Sequence, residues 1–225
     1  METYWTTINT SFYDINSNVT TFLLRLEELK RKTQFFWTEG VLSIFDLDDT
    51  LYSREEQLKN PLLAENRWKK WNEIILTELW WYDQFVDDYY FTWWITQEFV
   101  WMVKEESSLI LTAWEFELQM RKIIKLWLDR IKRIIVDDSK EKPLALFKHI
   151  LSKFEKIPER IVIYDDRVKY LLEKAQILSN LFWVEIEINE VKLKWNEVEQ
   201  LEKIIFIPKQ IEHADMMLAL YSLND

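Results

Sequence analysis

Three carboxylates crowd the stretch SIFDLDDTLY, residues 43–52, where Asp46, Asp48 and Asp49 close one apolar run and are followed at once by another apolar pair. A solvated turn accounts for acids, but not for apolar residues on both sides of them. Asp48 lies two positions beyond Asp46 and so points to the same side of an extended segment. Carboxylates held side by side repel each other unless a divalent cation offsets their charge; together they then offer a nucleophile and a proton carrier. A second acid pair, Asp165–Asp166, closes the run RIVIYDD (160–166). Asp137–Asp138 also follows an apolar run, and reads as a strand-end loop.

The elements that must position these groups alternate. Apolar runs of strand length occur at GVLSIFDLDD, SLILTA (108–113), RIIVDD (133–138), RIVIYDD (160–166) and LFWVEIEI (181–188). Helical periodicity appears between them, over Phe116–Lys132, Leu144–Phe154 and Val168–Leu178, and before the first strand from Val19 to about Thr33. Such alternation predicts an α/β fold with a Rossmann-like parallel sheet and helices on both faces. In such sheets the ligand crevice lies at the carboxyl ends of the strands. Asp46 and Asp48, Thr112, and Asp165 and Asp166 all fall at that end. The expected division is a helical extension over 1–40, a core over 41–52 and 107–207, a Trp-rich helical insertion over 53–106 and a C-terminal helix or tail over 208–225.

Bulk composition narrows the chemistry. With 225 residues the chain can bury a sizeable core. It contains no cysteine and two histidines, so thiolate chemistry, disulfides and imidazole-rich metal sites are excluded. The N-terminus lacks the basic start and apolar core of a secretion signal, and no run suits a membrane span, which predicts an intracellular protein, cytoplasmic or nuclear. Net charge is −10, yet residues 118–153 hold ten basic residues against four acids. That segment is a candidate for steering a polyanion. One glycine stands against thirteen tryptophans, eight of them between Trp68 and Trp114, a bias with no functional account. The aromatic residues of the insertion read as a small hydrophobic core more readily than as a base-stacking surface.

FDLDDTLY, with Asp46, Asp48 and Thr50 as DxDxT, resembles the first motif of the haloacid dehalogenase-like phosphatase superfamily. LILTAW (109–114) resembles the strand ending in Thr that follows, KPLALFKHIL (142–151) occupies the place of the motif lysine, and IVIYDDR (161–167) resembles the paired-acid motif. Within the superfamily, FDLDDTL, Trp80–Trp81, Trp93–Trp94, the LT pair, the FK of Lys148 and IYDDR with Arg167 are most similar to the Swiss-army-knife RNA repair-like family. The resemblance implies a cap inserted between strands one and two, and a Mg²⁺-dependent phosphomonoesterase. Mg²⁺ would be held by Asp46, by the Asp48 main-chain carbonyl and by Asp165 or Asp166, and oxygen-only ligands suit that ion. Asp46 would attack phosphorus to form an aspartyl phosphate, with Asp48 as acid and base. Thr112 would donate to the transferring group, and a lysine would steady the charge. Lys148 is preferred for that lysine, with Lys142 the alternative.

The resemblance further implies a phosphorylated substrate, an RNA end among the candidates. Ala113–Trp114 stands where such relatives usually show Gly-Arg, and this motivates a second reading, a non-catalytic interaction protein of the same fold. A small-metabolite phosphatase is a third.

Overall fold

The computed structural model describes residues 15–35, 40–53, 59, 61, 85–87, 97–194 and 197–223. Its centre is a six-stranded sheet in the order β3-β2-β1-β4-β5-β6. The strands are β1 (Val41–Phe45), β2 (Ser108–Ala113), β3 (Lys132–Val136), β4 (Arg160–Asp165), β5 (Glu185–Lys194) and β6 (Glu197–Phe206). All neighbouring pairs are parallel except β5 and β6, which form an antiparallel hairpin at one edge. The helices are α1 (Ile15–Phe35), α2 (Gln97–Met102), α3 (Phe116–Lys125), α4 (Lys142–Lys153), α5 (Lys169–Phe182) and α6 (His213–Ser222). The α/β expectation with a largely parallel sheet is met.

Alternating strand residues face two cores, because side chains along a strand point to opposite sides. Leu42 and Ile44, Leu109 and Leu111, and Ile161 and Ile163 pack against α1, α4, α5 and α6. Phe45, Ile110 and Ile135 face the other way, against α3 and against Phe85, Val86 and Phe99. Phe45 stacks on Tyr164 at 5.1 Å, and Phe99 meets both rings edge-on at 5.7 and 5.6 Å. Of the described aromatic residues of the 53–106 stretch, Phe85 and Phe99 are core residues and Trp101 is exposed, while most of the expected cap lies outside the described residues.

Several boundaries move. Helix α1 belongs to the main core: Leu23, Leu26 and Leu29 are buried in it, and Phe22 meets Phe147 at 6.1 Å. Met216, Leu220 and Leu223 of the C-terminal segment join the same core. Described parts of both ends, α1 and α6, thus pack into this core. Helix α3 stops at Lys125, seven residues short of the expected end, because the chain turns through Trp127 at φ 61°. Helix α5 runs to Phe182 and so takes Leu181 and Phe182 from the expected fifth strand. Strand β6 was not expected at all.

Among the described residues no helix is long and apolar enough to cross a membrane.

Candidate active site

In the strand order, β1 leads through β2 to β3 on one side, and β4 leads to β5 on the other. The crevice therefore opens between the carboxyl ends of β1 and β4. Asp46 follows β1 directly, with its N–H donating to the Tyr164 carbonyl at 2.9 Å, and Asp165 ends β4. One carboxylate oxygen each from Asp46, Asp165 and Asp166 lie within 4.8 Å of one another.

Beyond Asp46 the chain folds back on itself. Leu51 and Tyr52 N–H groups both donate to the Leu47 carbonyl at 3.0 Å, and Asp49 bonds the Tyr52 carbonyl at 2.6 Å. Asp49 sits at φ 59°, a left-handed conformation that Asp tolerates, and its carbonyl accepts from Leu193 N–H at 2.7 Å. This acid shapes the turn; Asp48, beside it, lines the cleft.

Lys142 is the cation of the site. Its Nζ donates to Asp46 Oδ1 at 2.9 Å and to Asp165 Oδ2 at 2.6 Å, with all three side chains buried. Burial opposes the Lys142 charge, but attraction from Asp46 and Asp165 outweighs it and raises the lysine above its ordinary range. Burial also pushes the Asp46 carboxyl up to about 6; Lys142 pulls against that shift, while Asp165 and Asp48 add to it. Asp165 Oδ1 accepts from the Arg167 N–H at 2.8 Å, which fixes the carboxylate plane.

Two expected residues do not reach this cleft. Lys148 is buried in α4, and the cleft is lined by Lys142 and not by Lys148. Lys142, the alternative lysine, is the one at the cleft, because a helix that follows a parallel strand begins at the strands' carboxyl edge. Six residues further along, Lys148 lies about 9 Å down the axis. Thr112 is buried at the end of β2, opposite Ile135, on the face shared with Ile110; the cleft is lined instead by Ala113 and Trp114. Trp114 has φ 98°, and its N–H donates to the Val136 carbonyl at 2.7 Å.

Five lining residues were not among the expected site residues: Gln119 and Lys122 from α3, with Leu118 of the same helix, Ser139, and Arg167. A signal existed for the first two. Leu118, Gln119, Lys122 and Ile123 fall on one buried stripe of α3, so polar side chains interrupt an apolar face. Asp137 and Asp138 are exposed, and Asp138 accepts from Lys140 N–H at 3.0 Å, as the strand-end loop reading requires.

The cleft has an interior volume of about 50 Å³, room for a phosphoryl-sized group and a small cation. Its donors are all oxygen. Two ligands on opposite sides of one Mg²⁺ at about 2.1 Å each stand about 4.2 Å apart, so the spacing of Asp46, Asp165 and Asp166 suits that ion after small adjustment. No family model matches the chain, and neither a curated protein nor a solved structure does.

Proposed function

We propose that the protein is a Mg²⁺-dependent phosphatase that hydrolyses a phosphate monoester through an aspartyl phosphate on Asp46. The observation that carries this reading is the convergence of Asp46, Lys142 and Asp165, far apart in sequence, at the carboxyl edges of adjacent strands. A buried ammonium between two carboxylates is a poor stabilising device, because removing three charges from water costs more than pairing returns. Two carboxylates with one ammonium are still net negative, so the set needs a divalent cation to receive a dianion. Mg²⁺, when bound by Asp46, Asp165 and Asp166, supplies charge neutralisation for the incoming phosphate.

The chain's own residues supply the rest. Asp46 attacks phosphorus, its P–O bond forming as the ester oxygen departs. Asp48 gives that oxygen a proton and afterwards takes one from the water that cleaves the acyl phosphate. Lys142 orients the attacking carboxylate and stabilises charge on the transferring oxygens.

Of the basic residues in 118–153, Lys122 and Lys142 line the cleft, and Arg121, Lys125 and Lys140 pair with acids. Arg133 donates to the Asp129 carbonyl at 2.7 Å, and Lys148 is buried. Arg130, Lys132 and Lys153 stay exposed, so seven of the ten positive residues are taken up in local contacts, the cleft lining or the interior, which favours a compact phosphomonoester over an RNA end.

Phosphate release from an aryl phosphate with Mg²⁺, measured beside Asp46→Asn, tests the reading. The variant is expected to lose activity by on the order of 10³-fold or more. Equal rates would overturn it in favour of the non-catalytic reading.

A further inference from the structure

Asp48 is held by helix α3. Lys122 Nζ donates to Asp48 Oδ2 at 2.7 Å, and Gln119 Nε2 reaches the same oxygen at 3.5 Å. Both donors are nearly buried, at 4% and 2% exposure. Gln119 is fixed in turn by a 2.8 Å bond to the carbonyl of Ala113, the last residue of β2. Because both of its partners are acceptors, the amide can be oriented only one way, with nitrogen toward Asp48. Fixing a long side chain costs rotamer freedom, and here the fixed ammonium lies against Asp48.

We propose that Lys122 is a positioning residue for Asp48, holding its carboxylate toward the leaving oxygen, with Gln119 tying that orientation to the end of β2. This rests on the phosphatase reading of Asp46. No atom of Lys122 enters the reaction: the proton passes between Asp48 and the ester oxygen, and the ammonium only fixes where Asp48 stands. On the phosphoryl-transfer step the effect must then depend on the leaving group, whereas the later hydrolysis, in which Asp48 takes a proton from water, is common to all esters. An alkoxide cannot depart without a proton, whereas a nitrophenolate leaves unassisted.

The experiment compares 4-nitrophenyl phosphate with glycerol 2-phosphate, using the full chain and Mg²⁺, for the unaltered protein, Lys122→Met, Lys122→Arg and Gln119→Met. Lys122→Met is expected to lower kcat/KM, which reports phosphoryl transfer to Asp46 alone, by about 10²-fold on the alkyl ester, and to leave kcat/KM on the aryl ester within a small factor. Lys122→Arg recovers much of the loss, Gln119→Met shows the same split more weakly, and Lys122→Met adds nothing in an Asp48→Asn background. An equal loss of kcat/KM on both esters or additive effects with Asp48→Asn would overturn the assignment, the first by showing that Lys122 grips the phosphate itself. A failed phosphatase reading looks different: the unaltered protein and Asp46→Asn are then alike on the aryl ester.

Discussion

Lys142 holds one ammonium between two carboxylates, and its neighbour in sequence space, Lys148, is the natural control. Lys142→Ala is expected to reduce kcat by about 10²–10³-fold, the usual cost of removing a fixed charge donor, while Lys148→Met leaves kcat unchanged; steady-state rates with an aryl phosphate check both. The four acids Asp46, Asp48, Asp165 and Asp166 were legible because acids that end apolar strands have few other reasons to be there. The lysine was ambiguous because helical periodicity does not say which end of a helix meets the sheet edge; the topology does. His149 offers a test unrelated to the cleft. Burial, with Lys132 and Lys153 nearby, lowers its pKa to about 4, its ring lies edge-on to Phe154, and neither ring nitrogen has a partner among the described residues. The unfolded chain takes up a proton near pH 6.5 and the folded chain only near 4, so this stability is intact above about pH 6.5 and is lost as pH falls toward 4. His149→Leu is expected to remove about 2–3 kcal/mol of acid sensitivity, read as the difference between the two proteins' unfolding free energies at pH 7 and pH 4.5.

Among the elements, the four inner strands were readable as short apolar runs, and the helices between them as amphipathic repeats. The edge was not. EVEQLEKIIF, which forms β6, alternates charged and apolar residues without a turn signal before it, as an edge strand protected by charge does. Helix ends were the other weak point, for an unusual reason. Helices normally stop at glycine in the left-handed region, whereas α5 stops at Trp183 with φ 59° and ψ 46°, and α3 gives way to a turn at Trp127. Any side chain bearing a Cβ is strained there by about 1–2 kcal/mol. Both indoles are mostly exposed, at 56% and 81%, so little burial offsets the strain. Trp183→Gly and Trp127→Gly should each raise stability by about 1 kcal/mol, seen as a higher denaturant midpoint at unchanged slope, whereas Trp183→Ala should give much less.

The molecule as a whole depends on its two ends. Leu23, Leu26 and Leu29 of α1 are buried in the main core, and Arg25 donates to the carbonyls of Leu151 and Phe154 at 3.0 and 3.1 Å, closing the C-terminus of α4. Burying three leucines contributes about 5–9 kcal/mol, comparable to the whole stability of a domain. A chain beginning at Gly40 should therefore lose its cooperative thermal transition, and a sharp melt by circular dichroism would contradict this. The tryptophans have a consequence of another kind. Of the four among the described residues, Trp114, Trp127 and Trp183 have positive φ, whereas Gly40 does not, and a Cβ added there would meet nothing within 4 Å. Tryptophan stands where the backbone calls for glycine, in a chain with thirteen of one and one of the other. A message that encodes glycine by UGA, translated with UGA as tryptophan, would leave such a pattern. Intact mass spectrometry of the protein from its native cells decides it: a deficit of one indolylmethyl group at each such position marks recoding, and the full mass marks genuine tryptophan. Under recoding, position 114 is a glycine, and the cleft opens where the indole now stands.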